Sequence, residues 1–210
     1  AGLCEDINGP FVFADNQIII DYVLSKFEDT KNRIDVDKPH SSMTLSIGYL
    51  FGLLETFVSA NYRKLSKEAV TNCIITIFVM NPQLLNLDVD LFTNALQFLN
   101  KVIEKKPDLL FYISDNLANY FATILESCMV VLKQSNEKFV IKTVVKFWCN
   151  LITLRAGTRE NQEYITRIFI DEQFGQKLTN VTFSALLKST RSNYEIYCDI
   201  VRNMIGKYPL

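Results

Sequence analysis

Between Asp88 and Lys106 the apolar residues fall on two adjacent helical rows, and this stretch commits the chain to a fold built from long helices. Leu91, Ala95, Phe98 and Val102 make one row, and Phe92, Leu96, Leu99 and Ile103 the next. Spacings of three and four residues place both rows on one broad helix face, which has to be buried against another element. Asp88 and Asp90 stand where negative charge suits a helix start, and Lys105 and Lys106 where positive charge suits its end. Pro107 then stops the hydrogen-bond ladder, having no N–H to give. The same grammar recurs from end to end and predicts helices over 15–32, 40–61, 66–81, 88–106, 113–133, 136–155, 159–172, 175–190 and 192–207. Ser66, Asn136 and Thr158 are the expected N-caps, each with a Glu soon after it. No alternating strand pattern competes, and 7 Gly and 5 Pro in 210 residues leave little room for many tight turns.

The helices also echo one another. The helix ending at Pro107 can be laid on the one ending at Pro209, pairing Phe92 with Tyr194, Phe98 with Ile200, Leu99 with Val201, Val102 with Met204 and Ile103 with Ile205; a third ends similarly at Pro82. Loosely similar helix pairs are what a solenoid produces, because each unit buries its apolar face only against its neighbours. The expected fold is therefore all-α: a HEAT-type helical-repeat solenoid, a right-handed superhelix of antiparallel helix pairs with about nine helices. A compact bundle whose helices end at prolines is the competing architecture. Residues 1–210 are read as one contiguous segment of such a solenoid. Starting at Ala1 without Met and stopping just after Pro209, it is read as cut from a longer protein.

Composition and motifs bound the chemistry. A net charge of −1 lacks the basic excess of a dedicated nucleic-acid binder. Cys4, Cys73, Cys128, Cys149 and Cys198 are widely spaced and include no C-x-x-C pair, so they are read as small buried hydrophobes kept reduced. The longest uncharged stretch, Ala69 to Leu87, contains Asn72, Asn81, Pro82, Gln83 and Asn86, which disfavours a membrane span. His40 is the only histidine, so a histidine triad or multi-histidine metal site cannot form within this chain. It follows Pro39 and precedes Ser41 and Ser42, which suits a surface helix start. No glycine-rich phosphate cradle is present. Glu28-Asp29 and Asp35/Asp37 lie in charged, turn-like sequence, where solvation is the ordinary explanation. The chain is expected to be no enzyme and to need no cofactor.

Two features suit recognition. Residues 1–60 hold nine acidic against four basic residues, a net of −5, and residues 131–210 twelve basic against seven acidic, a net of +5. Such asymmetry can orient a charged partner, and drift in solvated faces also produces it. Lys138, Lys142 and Lys146 are spaced four apart, so their ammonium groups share one helix face while Val140, Val144, Phe147 and Leu151 take the other. They are candidate contacts for an acidic partner protein; a solvated outer face is the plainer reading. Phe92, Phe98, Phe121, Phe147 and Trp148 are expected in the core, and Phe139 is grouped with Phe147 and Trp148 as core by its spacing.

Over residues 88–155 the chain resembles a known family. Val89-Asp90-Leu91-Phe92, Phe98-Leu99 and Lys105-Lys106-Pro107-Asp108-Leu109, followed by Tyr120-Phe121 and by Val140 through Phe147-Trp148-Cys149-Asn150-Leu151, are similar to the carboxy-terminal half of importin-β-like karyopherins. The importin-thirteen and transportin-SR branch, with its fungal relatives, is nearest; residues 40–61 and 159–207 fit by helix rhythm only. The resemblance implies a nuclear transport receptor that shuttles between cytoplasm and nucleus, binds protein cargo and nuclear pore proteins, and is controlled by Ran·GTP. The principal Ran contacts of that family lie in its amino-terminal part, so no residue here takes that role. A HEAT-type scaffold in a vesicle coat or a chromosome-associated complex is the alternative. An RNA-binding helical repeat, with nucleic-acid affinity falling steeply in salt, is a third.

Overall fold

The helix that is clearest in the sequence starts as its residues dictate. The Asp90 N–H donates to Asp88 Oδ1 at 2.7 Å, satisfying one of the donors that every helix start leaves open. At the other end the Lys106 N–H reaches the Val102 carbonyl at 2.8 Å, and Pro107–Leu109 tightens into a single 3-10 turn. In this computed structural model the residues described are 16–33, 42–61, 66–80, 85, 88–111 and 120–208. They form α1 (Asn16–Lys31), α2 (Ser42–Asn61), α3 (Lys67–Ile74), α4 (Val89–Lys105), α5 (Tyr120–Gln134), α6 (Lys138–Thr153), α7 (Arg159–Ile170), α8 (Phe174–Lys188) and α9 (Arg191–Lys207). Among the described residues the fold is all-α, with no strand. None of these helices is long and apolar enough to cross a membrane.

The chain divides into two compact units, residues 1–118 and 119–210. In the first, α1 packs on α2 and on α3, and α2 packs on α4. The second unit repeats the scheme: α5 packs on α6 and α8, α6 on α9, and α8 on α9. The second unit is thus two stacked helix pairs, and in both units first helix lies against first and second against second. That is the local packing rule of a helical-repeat solenoid. The extra short helix α7 sits between the pairs of the second unit in sequence and packs on α8. The two helices linked by the sequence echo, α4 and α9, occupy the same place in their units. Phe98 and Ile200 are both buried, whereas Tyr194 and Ile205 are exposed where Phe92 and Ile103 are not.

Each unit has its own core. In the first, Phe27 and Phe51 pack with ring centroids 6.1 Å apart, and Thr71 Oγ1 donates to the Leu109 carbonyl at 3.1 Å, tying α3 to the 3-10 turn. Lys67 and Asp108 pair across the same two elements at 3.5 Å. In the second, Trp148 meets Phe147 and Phe169 edge-on, with centroids 5.4 and 6.1 Å away, and Phe169 stacks on Tyr208 at 5.9 Å. Phe92, Phe98, Phe121, Phe147 and Trp148 are all buried, as their spacing requires.

Two local features depart from the sequence reading. The stretch expected to run as one helix to residue 81 widens after Ile74 into a π-helical turn, Ile75–Val79, closed by the Met80 N–H on the Ile75 carbonyl at 3.0 Å. Ile74, Ile75, Thr76 and Ile77 are β-branched in succession, and a wider turn relieves their crowding. Ser66 and Thr158 cap as expected, accepting from the Ala69 and Asn161 N–H groups. Asn136 does not: the Glu137 N–H turns to Ser135 Oγ at 3.2 Å, and Glu137 takes the N-cap position of α6 without a side-chain hydrogen bond.

Two left-handed residues are not glycine. Leu154 (φ 38°) ends α6 with its side chain buried, and Gly157 is needed beside it because an added Cβ would lie 2.7 Å from that side chain. Gln173 (φ 60°) joins α7 to α8 and is exposed. Gln173→Gly removes the cost of a left-handed L-residue and sacrifices no packing, against a small gain in unfolded-chain entropy. It is expected to raise stability by about 0.5–1 kcal/mol. A urea midpoint unchanged or lowered would contradict that account.

Candidate functional site

Helix α6 begins with a lysine where the helix dipole disfavours one. Lys138 is its first residue, no acidic residue lies in its first turn, and its N-cap makes no side-chain hydrogen bond. A positive charge at that end opposes the macrodipole, and the Lys138–Lys142–Lys146 spacing adds like-charge repulsion at i,i+4. The apolar side holds the helix in place: Val140, Val144, Phe147 and Leu151 are each no more than 1% exposed. Lys138, Lys142 and Lys146 are all exposed, so the three expected to share a face do so. Lys138 and Lys142 enter no ion pair among the described residues.

Phe139 corrects the sequence reading. Grouped with the core aromatics, it is instead 57% exposed. At about 100° per residue, position 139 falls within about 20° of Lys146 and far from the Val140–Phe147 stripe. The wheel angle carried this signal, and the broader grouping by helical spacing lost it. The result is an exposed aromatic ring at the edge of the helix arc that carries the three lysines. Aromatic anchors beside cations are characteristic of protein-binding surfaces, where the ring supplies area and the charges supply orientation.

The other candidates do not converge. Glu28 pairs with Lys31 and Asp29 with Lys26, each across one helical turn, so the two carboxylates are separate surface ion pairs. His40, Asp35, Asp37 and Cys4 lie outside the described residues. No group of three or more His, Cys, Asp or Glu side chains gathers among the described residues. Several helical hydroxyls are turned inward on their own backbone: Thr93, Thr143, Thr153, Thr166 and Thr179 each donate to the carbonyl four residues back, at 2.7–3.1 Å. Bonded in this way, they are satisfied within the helix, at a slight cost to its stability.

Cys73 and Cys128 are buried, and Cys149 and Cys198 half-buried; all four are free thiols. Burial pushes Cys73 up to about 12 and Cys128 well above the usual thiol range. Cys149 is pushed up to about 11 by burial and by the Asp199 carboxylate, with the Asn203 amide donating to its sulfur at 3.4 Å in opposition. Thiolate is the reactive form, so native protein treated with iodoacetamide at about pH 8 is expected to keep Cys73 and Cys128 unmodified, and urea-unfolded protein to lose both. Mass spectrometry of the labelled peptides checks this. The linkage has a definite sign. A native pKa raised above the unfolded value of 9.0 gives stability that is complete below that pH and is lost as pH rises through about 11 to 12.

In comparisons with known proteins, the chain matches no family model and no curated protein at a significant level.

Proposed function

We propose that this chain is a segment of an importin-β-like nuclear transport receptor, binding protein cargo in a cycle governed by Ran·GTP. The observation that carries the proposal is the exposed arc of α6. It sets three lysines to one side of an exposed Phe139 within the stretch that resembles karyopherins, and it sits on helix pairs stacked first on first and second on second. Lys138 opposes the helix dipole, the Glu137 carboxylate at the N-cap offsets it, and the lysine row lies on the exposed face, open to a partner. The arc suits an acidic cargo surface, with Phe139 as the apolar contact and the lysines to one side of it. Control by a nucleotide-bound GTPase requires that cargo and GTPase make different contacts in two states of one receptor. Stacked pairs that touch only their neighbours bend with little loss of contact, which supplies such states.

The test is a pull-down from cell extract with the parent protein, with and without Ran locked in its GTP state. Partners released by Ran·GTP are import cargo, and partners held only with it are export cargo. A partner set indifferent to Ran sinks the transport reading and leaves a helical-repeat scaffold.

A further inference from the structure

The echo between α4 and α9 ends in a difference of burial. Phe92, Leu96, Leu99 and Ile103 form one row of α4, and each is no more than 3% exposed. The matching row of α9 is Tyr194, Cys198, Val201 and Ile205. Its end members are 54% and 66% exposed, and the two between are half-buried. All four fall within about 60° of arc, so they make one continuous apolar seam along α9. Asn203, whose Nδ2 reaches Cys149 Sγ on α6 at 3.4 Å, stands about 170° around α9 from the middle of that seam. The seam therefore faces away from α6, on the uncovered side of the pair. On α8, which packs beside α9, Phe183 and Leu187 stand one turn apart and 50% and 88% exposed, opposite the buried Leu178, Thr182 and Ala185.

The charges beside the seam select what covers it. Glu195 and Arg202 are both exposed on one flank, within about 20° of each other around α9. Glu195 enters no ion pair among the described residues, and Arg202 pairs with Asp199 of its own helix at 2.8 Å. A two-fold axis crossing the seam midway between Cys198 and Val201 lays a second α9 antiparallel on the first and matches each position with one equally far from the centre. Tyr194 then meets Ile205 of the second copy, and Cys198 its Val201. The same operation brings Glu195 to within about 3 Å, measured along the helix axis, of the second copy's Arg202. A parallel pairing leaves these two charges about 10 Å apart along the axis. The pattern is thus self-complementary in the antiparallel sense. The face that α8 and α9 present is about 25 Å long and 20 Å wide, so two copies together bury the roughly 1,000 Å² that a specific interface needs.

We propose that two copies of this chain pair through α8 and α9, with the α9 helices antiparallel about a two-fold axis between Cys198 and Val201. Tyr194 packs on Ile205 of the second copy, Glu195 pairs with its Arg202, and symmetry repeats both contacts. This pairing is independent of the transport reading, since neither cargo nor GTPase enters it.

The test is sedimentation equilibrium of the 210-residue chain up to about 100 μM, where a dimer with a micromolar dissociation constant is expected. Ile205→Asp changes a mostly exposed side chain, so the circular dichroism and urea midpoint of the dilute monomer are expected to stay at the parent's values. Dimerisation of that variant is expected to weaken by about a hundredfold, because the two-fold buries the new charge twice. Glu195→Arg and Arg202→Glu are each expected to weaken it roughly tenfold, and the two together to recover the parent's affinity to within about threefold. A chain that stays monomeric overturns the proposal and leaves the seam to a further helix pair of a longer polypeptide. A dimer untouched by Ile205→Asp lies elsewhere on the surface and overturns it as well. Charge variants without effect singly, or without recovery when combined, overturn the antiparallel pairing.

Discussion

Replacing Trp148 with alanine is expected to cost the second unit about 3–5 kcal/mol, a large part of the stability of any domain of this size. The indole is fully buried, with Phe147 and Phe169 edge-on against it, so truncation leaves a cavity lined by aromatic rings that cannot easily collapse into it. Phe139→Ala on the same helix is the control. Its ring is mostly exposed, and the change is expected to fall within about 0.5 kcal/mol of the parent. Trp148→Phe is intermediate, because it also removes an indole N–H that has no acceptor among the described residues. Urea unfolding followed by far-ultraviolet circular dichroism reads all three. Equal midpoints for Trp148→Ala and Phe139→Ala would show that α6 is not packed as described.

Reversing Lys138, Lys142 and Lys146 to glutamate is expected to weaken binding of an acidic partner roughly a hundredfold and to leave the fold intact. The two effects separate for a physical reason. Three glutamates at the same spacing repel about as much as three lysines, and a glutamate at the first position of α6 suits the helix dipole better than Lys138 does. A urea midpoint unchanged from the parent's is the control that separates a loss of partner from unfolding. Affinity measured by calorimetry at two salt concentrations adds a second readout, since the parent should weaken with salt and the variant should not. Unchanged affinity would assign the lysines to solvent and leave Phe139 without its proposed setting.

The regular parts of the fold were legible because they depend on local chemistry. Asp88, Asp90, Lys105 and Pro107 bracket α4 so fully that tertiary structure had nothing to add. Ser66 and Thr158 were legible as caps for the same reason. Asn136 was not, because Ser135 offers a hydroxyl one residue earlier and the chain used it. The π-helical turn was hidden by a faultless helical pattern, since Val70, Ile74, Ile77 and Phe78 fit either geometry. Leu154 and Gln173 gave no warning of left-handed backbone, which glycine or asparagine would have announced.

The candidate site was half-read. The lysine row followed from spacing, but Phe139 was drawn to the core by too loose a use of the same spacing. A cavity bordered by the α5–α6 and α8–α9 connections, with Lys133 and Lys188 in its lining, was out of reach because those connections lie far apart in sequence. Expectations that fall on residues 1–15, 34–41 and 112–119, His40 among them, lie outside the described structure.

The stacking of first helix on first and second on second has a consequence for how fast the chain folds. Within each unit the main contacts join helices no more than three apart in order, so closing them demands only short loops of chain. Topologies dominated by such local contacts fold in microseconds to milliseconds, orders of magnitude faster than sheet proteins of equal stability. Each unit can also collapse as soon as its own last helix emerges during synthesis, with little time for apolar faces such as that of α4 to meet another chain.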